Sequence, residues 1–172
     1  MQTSLVLTVL GPDRAGLVKS ISEAVKAHHG NWQESRMVRL AGQFAGLAHV
    51  VIAEEQLGAL LQALDALQTD GLRILAQQSE AEPHESRTPL TLELLGHDRP
   101  GIIHDITRQL AALNINIEEL ESEQRAAPMS GELLFYANLR LALPAGVTPE
   151  DVQGAFENLP DPLMVDLTFN AS

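Results

Sequence analysis

The sequence has no cysteine, which excludes disulfides, thiolate zinc sites and cysteine nucleophiles together. It is poor in positive charge: 11 Lys and Arg stand against 23 Asp and Glu, a net charge of −12. A field of that sign repels phosphate backbones, so direct nucleic-acid binding through a basic patch is disfavoured. Aromatics make up 3% of the chain, with Trp32 and Tyr136 among them, too few for a base-stacking platform. Long hydrophobic runs are missing as well. Stretches such as Leu47–Ala53, with His49 inside, are too short to span a bilayer, so no membrane contact is expected. Met1-Gln2-Thr3-Ser4 lacks the basic start and apolar core of a secretory signal. The expectation is a soluble cytoplasmic protein.

Catalytic signatures are also missing. Ser20, Ser22 and Ser35 sit in no Gly-x-Ser-x-Gly motif, and no acidic pair stands out from the general acidic surface. Gly11–Gly16 lacks the Gly-Lys-Ser/Thr ending of a phosphate loop, so no cofactor is expected. Of the six histidines, His28 and His29 are adjacent and would point about 100° apart on a helix. His97 and His104 flank one turn with Asp98 nearby, short of the convergent set a zinc ion needs. Neither a metal site nor an enzyme is expected.

What the chain does contain is itself, twice. Leu5–Ser35 aligns without a gap on Leu90–Leu120 at a constant offset of 85, with eleven identities in 31 positions. They include Leu10/Leu95, Gly11/Gly96, Asp13/Asp98, Arg14/Arg99, Gly16/Gly101, Ile21/Ile106, Asn31/Asn116 and Glu34/Glu119. Between the copies lies Gln77–Pro89, rich in Glu, Ser and Pro, which has linker composition. We expect domains at residues 1–78 and 90–172 joined by a linker at 79–89.

Each copy reads alike. Leu5–Leu10 and Leu90–Leu95 are short apolar runs ending at Gly, expected to be buried strands. Helices follow, with stripes Leu17, Val18, Ile21, Val25, His28 and Ile102, Ile103, Ile106, Leu110, Leu113. Second strands are expected at Asn31–Leu40 and Ile115–Glu123, and third strands at Gln43–Ala53 and Glu132–Leu143. Leu133, Phe135, Ala137, Leu139, Leu141 and Leu143 alternate with Tyr136, Asn138 and Arg140, as in a sheet with one covered face. Second helices carry Leu57, Leu60, Leu61, Leu64 and Val152, Ala155, Phe156, Leu159, with Thr148 as a cap before Pro149. Closing strands are expected at Leu72–Gln77 and Met164–Phe169. The fold class is therefore α+β: two ferredoxin-like βαββαβ units in tandem.

The turn after each first strand suits a small anion. A helix start leaves backbone N–H groups unpaired and adds positive potential. Gly16 and Gly101 allow close approach to the backbone there, or serve the turn alone. Asp13 and Asp98 can cap the helix or accept from a ligand ammonium. Arg14 and Arg99 can hold a ligand carboxylate or form surface ion pairs. Asn31 and Asn116 can donate and accept, or take up a left-handed turn.

The turn Gly-x-Asp-Arg-(Ala/Pro)-Gly-(Leu/Ile)-(Val/Ile), followed a helix later by Asn-(Trp/Ile)-x-Glu, resembles the ACT domain. Gly96–Ile103 with Asn114-Ile115-Asn116-Ile117 is the nearer match, whereas the first copy has Ala15 for the usual Pro and His29-Gly30-Asn31-Trp32 in the second motif. That resemblance implies a regulatory protein that binds a small amino acid. Its ligand set would be Asp13, Arg14, Gly16, Leu17 and Asn31 with Asp98, Arg99, Gly101, Ile102 and Asn116. ACT ligands usually lie at a seam between domains, which implies sharing between one copy's turn and the other's second strand. Two such units with no output domain resemble the glycine-responsive members of the family. They imply glycine as ligand and a transcriptional activator of the glycine cleavage genes as partner. The alternative is an adaptor or regulatory enzyme subunit without its own ligand. Open sheet edges also predict association of the copies side by side or through their helices, and allow a homodimer.

Overall fold

In the computed structural model, residues 1–69, 71–80, 86–161 and 163–169 are described. Residues 81–85 of the expected linker lie outside them. The chain divides into two compact units, Met1–Glu82 and Pro83–Ser172. The first runs β1 (Gln2–Pro12), α1 (Leu17–Ala27), β2 (Asn31–Leu40), β3 (Gln43–Ala53), α2 (Glu54–Ala66) and β4 (Arg73–Gln78). The second repeats it as β5 (Thr88–His97), α3 (Ile102–Ala112), β6 (Asn116–Ala126), β7 (Leu133–Leu143), α4 (Pro149–Glu157) and β8 (Met164–Phe169). Both sheets are antiparallel, in the orders β2-β3-β1-β4 and β6-β7-β5-β8. This is βαββαβ twice, the ferredoxin-like arrangement.

Helices cover one face of each sheet, and alternation does the rest. In β1, Leu5, Leu7 and Val9 are buried, and in β5, Leu90, Leu92 and Leu94. The apolar run of β1 suggests a strand buried throughout; instead Leu10 points to the sheet face away from its unit's helices and is 45% exposed. α1 buries Leu17, Ile21 and Val25, and α3 buries Ile102, Ile106 and Leu110, again 85 apart. Val18 falls outside the stripe, and the helix ends at Ala27, before His28. The two cores form separate clusters, one around Leu7, Ile21 and Leu60, the other around Leu92, Ile106 and Phe156.

The ends of the helices differ. α1 and α3 close with the same pair of bonds: His29 and Gly30 N–H donate to Lys26 and Val25 carbonyls at 3.1 and 2.9 Å. Asn114 and Ile115 do the same to Ala111 and Leu110 at 3.0 Å each. This is a Schellman closure, with His29 (φ 57°) and Asn114 (φ 55°) as its left-handed residues. α4 starts with a reciprocal capping box. Asp151 N–H donates to Thr148 Oγ1 at 3.3 Å, and Thr148 N–H to Asp151 Oδ2 at 2.9 Å, with Pro149 in the first turn. Thr148→Ala is therefore expected to cost about 1 kcal/mol, read as a lowered midpoint in urea with an unchanged slope.

Both second strands carry an irregularity at the same place. Trp32 pairs with Val50 but Glu34 with His49; Ile117 pairs with Leu141 but Glu119 with Arg140. Gln33 and Glu118 are thus extra residues in β-bulges.

Candidate functional site

β1 and β5 run into their helices through turns that end at Gly16 and Gly101. Both glycines are left-handed, at φ 91° and 83°, and both are the N-cap of the helix that follows. A Cβ at either would meet nothing within 4 Å. Space above the turn is open, and it is the backbone handedness that calls for glycine. Neither helix start has a side-chain cap; at α3 the Ile102 N–H donates to the Arg99 carbonyl at 3.4 Å.

The aspartates do not cap. Asp13 N–H donates to the Gly42 carbonyl at 3.0 Å, and its carboxylate takes the Arg39 guanidinium at 2.7 Å. Asp98 N–H donates to the Leu133 carbonyl at 3.2 Å, and its carboxylate accepts from the Gln124 amide at 2.6 Å. Arg39 and Gln124 occupy equivalent positions, 85 apart, on the second strands. Each aspartate thus ties its turn to the neighbouring hairpin and leaves the helix start uncovered.

The arginines diverge. Arg14 is exposed. Arg99 is mostly buried, and its Nη1 meets Asp105 Oδ2 at 2.7 Å while Nη2 is enclosed without a partner. A guanidinium satisfies a carboxylate best through two parallel N–H bonds, so this one is half-engaged. Asp105 also places an acid in the first turn of α3, whereas α1 has none there. The first turn is the less occupied of the two.

Leu17 and Ile102 are each 5% exposed, so their side chains belong to the cores. Asn31 and Asn116 begin β2 and β6 opposite Val51 and Ala142. Ser4 of β1 pairs with that same Val51, whereas Pro12, next to the turn, pairs with Gln43. Eight residues of strand, roughly 25 Å, separate the two ends, so a unit's turn and its own Asn do not share a ligand. Nor are these asparagines left-handed; His29 and Asn114 hold that role. Arg39, Gln124 and Asp105 complete the turns and are not marked by the repeat identities.

Hollows of about 180, 210 and 250 Å³ occur on the sheet faces away from the helices, around Asn138, His49 and Tyr136 respectively. In the second of these the Ser4 hydroxyl and His49 Nε2 share a hydrogen bond. Among the described residues no group of three His, Cys, Asp or Glu is placed to hold a metal ion, and no helix is long and apolar enough to cross a membrane.

Residues 3–75 match the ACT domain family model. Over 166 residues the chain is 25% identical to the glycine cleavage system transcriptional repressors of Escherichia coli (strain K12) and of Shigella flexneri, spanning 92% of this chain and 84% of each. A crystal structure of an unknown protein from Galdieria sulphuraria is 29% identical and superposes with a TM-score of 0.86, covering 99% of this chain and all of that one. A structure provisionally described as a glycine cleavage system transcriptional repressor shares the fold at 16% identity, with a TM-score of 0.71 and 99% of both chains covered. Residues 3–75 thus match an ACT domain, and the second unit repeats the strand order, helix closures and bulge of that first one.

Proposed function

We propose that this chain is a non-enzymatic, cytoplasmic regulator that binds glycine at its helix-start turns and represses by holding a transcriptional activator of the glycine cleavage genes. Similarity along most of the chain to named repressors supports the regulatory role. The observation that carries the ligand reading is the pair of uncapped, left-handed glycine N-caps with open space above them. A zwitterion's carboxylate docks at the helix start, where the helix dipole favours negative charge. The net charge of −12 supports action through a protein rather than through DNA.

Asp105 favours the adaptor reading for the second unit alone, since its own carboxylate already engages Arg99. Calorimetric titration with the twenty amino acids separates the readings. We expect glycine to fill one site per chain, at Gly16, more tightly than the other. If no amino acid binds below about 1 mM, roughly 4 kcal/mol, the sensor reading fails and the adaptor remains. Co-purification with the activator, with and without glycine, tests the output: glycine should weaken the complex.

A further inference from the structure

The two units share a fold but not the chemistry of the sheet face that lies away from the helices. On the first sheet that face holds Leu10, Val38, Leu47 and Leu75, at 45, 61, 52 and 56% exposure. Strand register gives the equivalent positions of the second sheet. Val6 corresponds to Thr91, Thr8 to Glu93, and Val38 to Glu123. Leu47 and Leu75 pair with Thr8, as Asn138 and Asp166 pair with Glu93. An open ACT-type sheet therefore tolerates a polar face. The apolar one is not a demand of folding.

We infer that this face of the first sheet is where two copies of the chain pair, sheet against sheet. Three observations name a second copy as the occupant. The first is charge. Two chains of −12 each repel, and they meet with least repulsion where a face is not acidic. Arg36 and Arg73 stand on this face against Glu34 alone, whereas the second sheet shows Glu93, Glu119, Glu121, Glu123 and Asp166 against Arg125 and Arg140. The second is chemical match. A row of leucine and valine is best covered by another such row, and an identical face supplies it about a two-fold axis. The third is area. Four strands about 4.8 Å apart and about 25 Å long present roughly 500 Å² per copy, or about 1,000 Å² for the pair. That is the small end of specific interfaces, so the dimer is weak and reversible, with a micromolar dissociation constant. Sheets packed this way cross at about −30°.

Sedimentation of the full chain from about 1 to 100 μM tests this. The mass should rise from one chain toward two, and added salt should strengthen the dimer by screening the like charges. Leu47→Glu and Leu75→Glu should each hold the mass at one chain with circular dichroism and melting unchanged, since both side chains are exposed. Met164→Glu, exposed on the second sheet, should dimerise as the parent does. A parent that stays monomeric, a Leu47→Glu variant that still dimerises, or loss of the dimer through Met164→Glu would each overturn the assignment. None of these readouts depends on glycine binding, so the ligand reading stands or falls separately.

Discussion

Phe156→Ala should lower the stability of the second unit by about 3–5 kcal/mol, the range for removing a buried aromatic ring and leaving its cavity. Phe156 is fully buried and the largest such side chain in the molecule's described core. It belongs to the cluster with Leu92, Ile106 and Leu139, which is separate from the cluster holding Leu7, Ile21 and Leu60. A domain of this size has a total stability of about 5–10 kcal/mol, so the loss takes a large share of it. The first unit should hardly notice. Differential scanning calorimetry should show one transition shifted to lower temperature and the other in place. Equal shifts of both would mean the two cores unfold as one, against the separation seen here.

Gly16→Val should cost about 1–2 kcal/mol, since a residue with a Cβ is forced into the left-handed region. A Cβ there meets nothing within 4 Å, so the penalty comes from backbone conformation. The same change fills the space above the α1 amides, and glycine affinity should fall more than tenfold. Gly101→Val should show a similar cost in stability but a smaller change in the titration, because Asp105 already occupies that turn in part. Thermal melting and calorimetry on the same samples read both effects. A Gly16→Val protein that melts and binds like the parent would remove the turn from the mechanism.

Much of this was legible in the residues. The duplication gave both helices, because Leu17, Ile21 and Val25 recur as Ile102, Ile106 and Leu110 at a spacing only a helix buries. β7 was legible from its clean alternation, and Thr148-Pro149 from capping chemistry. β1 was half legible: an apolar run states that a strand is there, but not that one side of it stays open. The turn's glycines were visible through the repeat, yet the partners of Asp13 and Asp98 were not. Arg39 and Gln124 lie 26 residues downstream, differ in type, and reach the turn only once β2 and β6 have folded back. The asparagines recur at a shared place in the fold, the first residue of a strand, which identity between copies marks as readily as a shared ligand.

The bulges at Gln33 and Glu118 bear on what the chain avoids. They sit in β2 and β6, which are outermost in their sheets, while the opposite borders, β4 and β8, are six residues long. A strand arriving from another molecule would lose step with the ladder at the kink on one side and run out of backbone on the other. All four borders are thus poor templates for fibril growth, and a concentrated solution of this protein should stay clear instead of gelling.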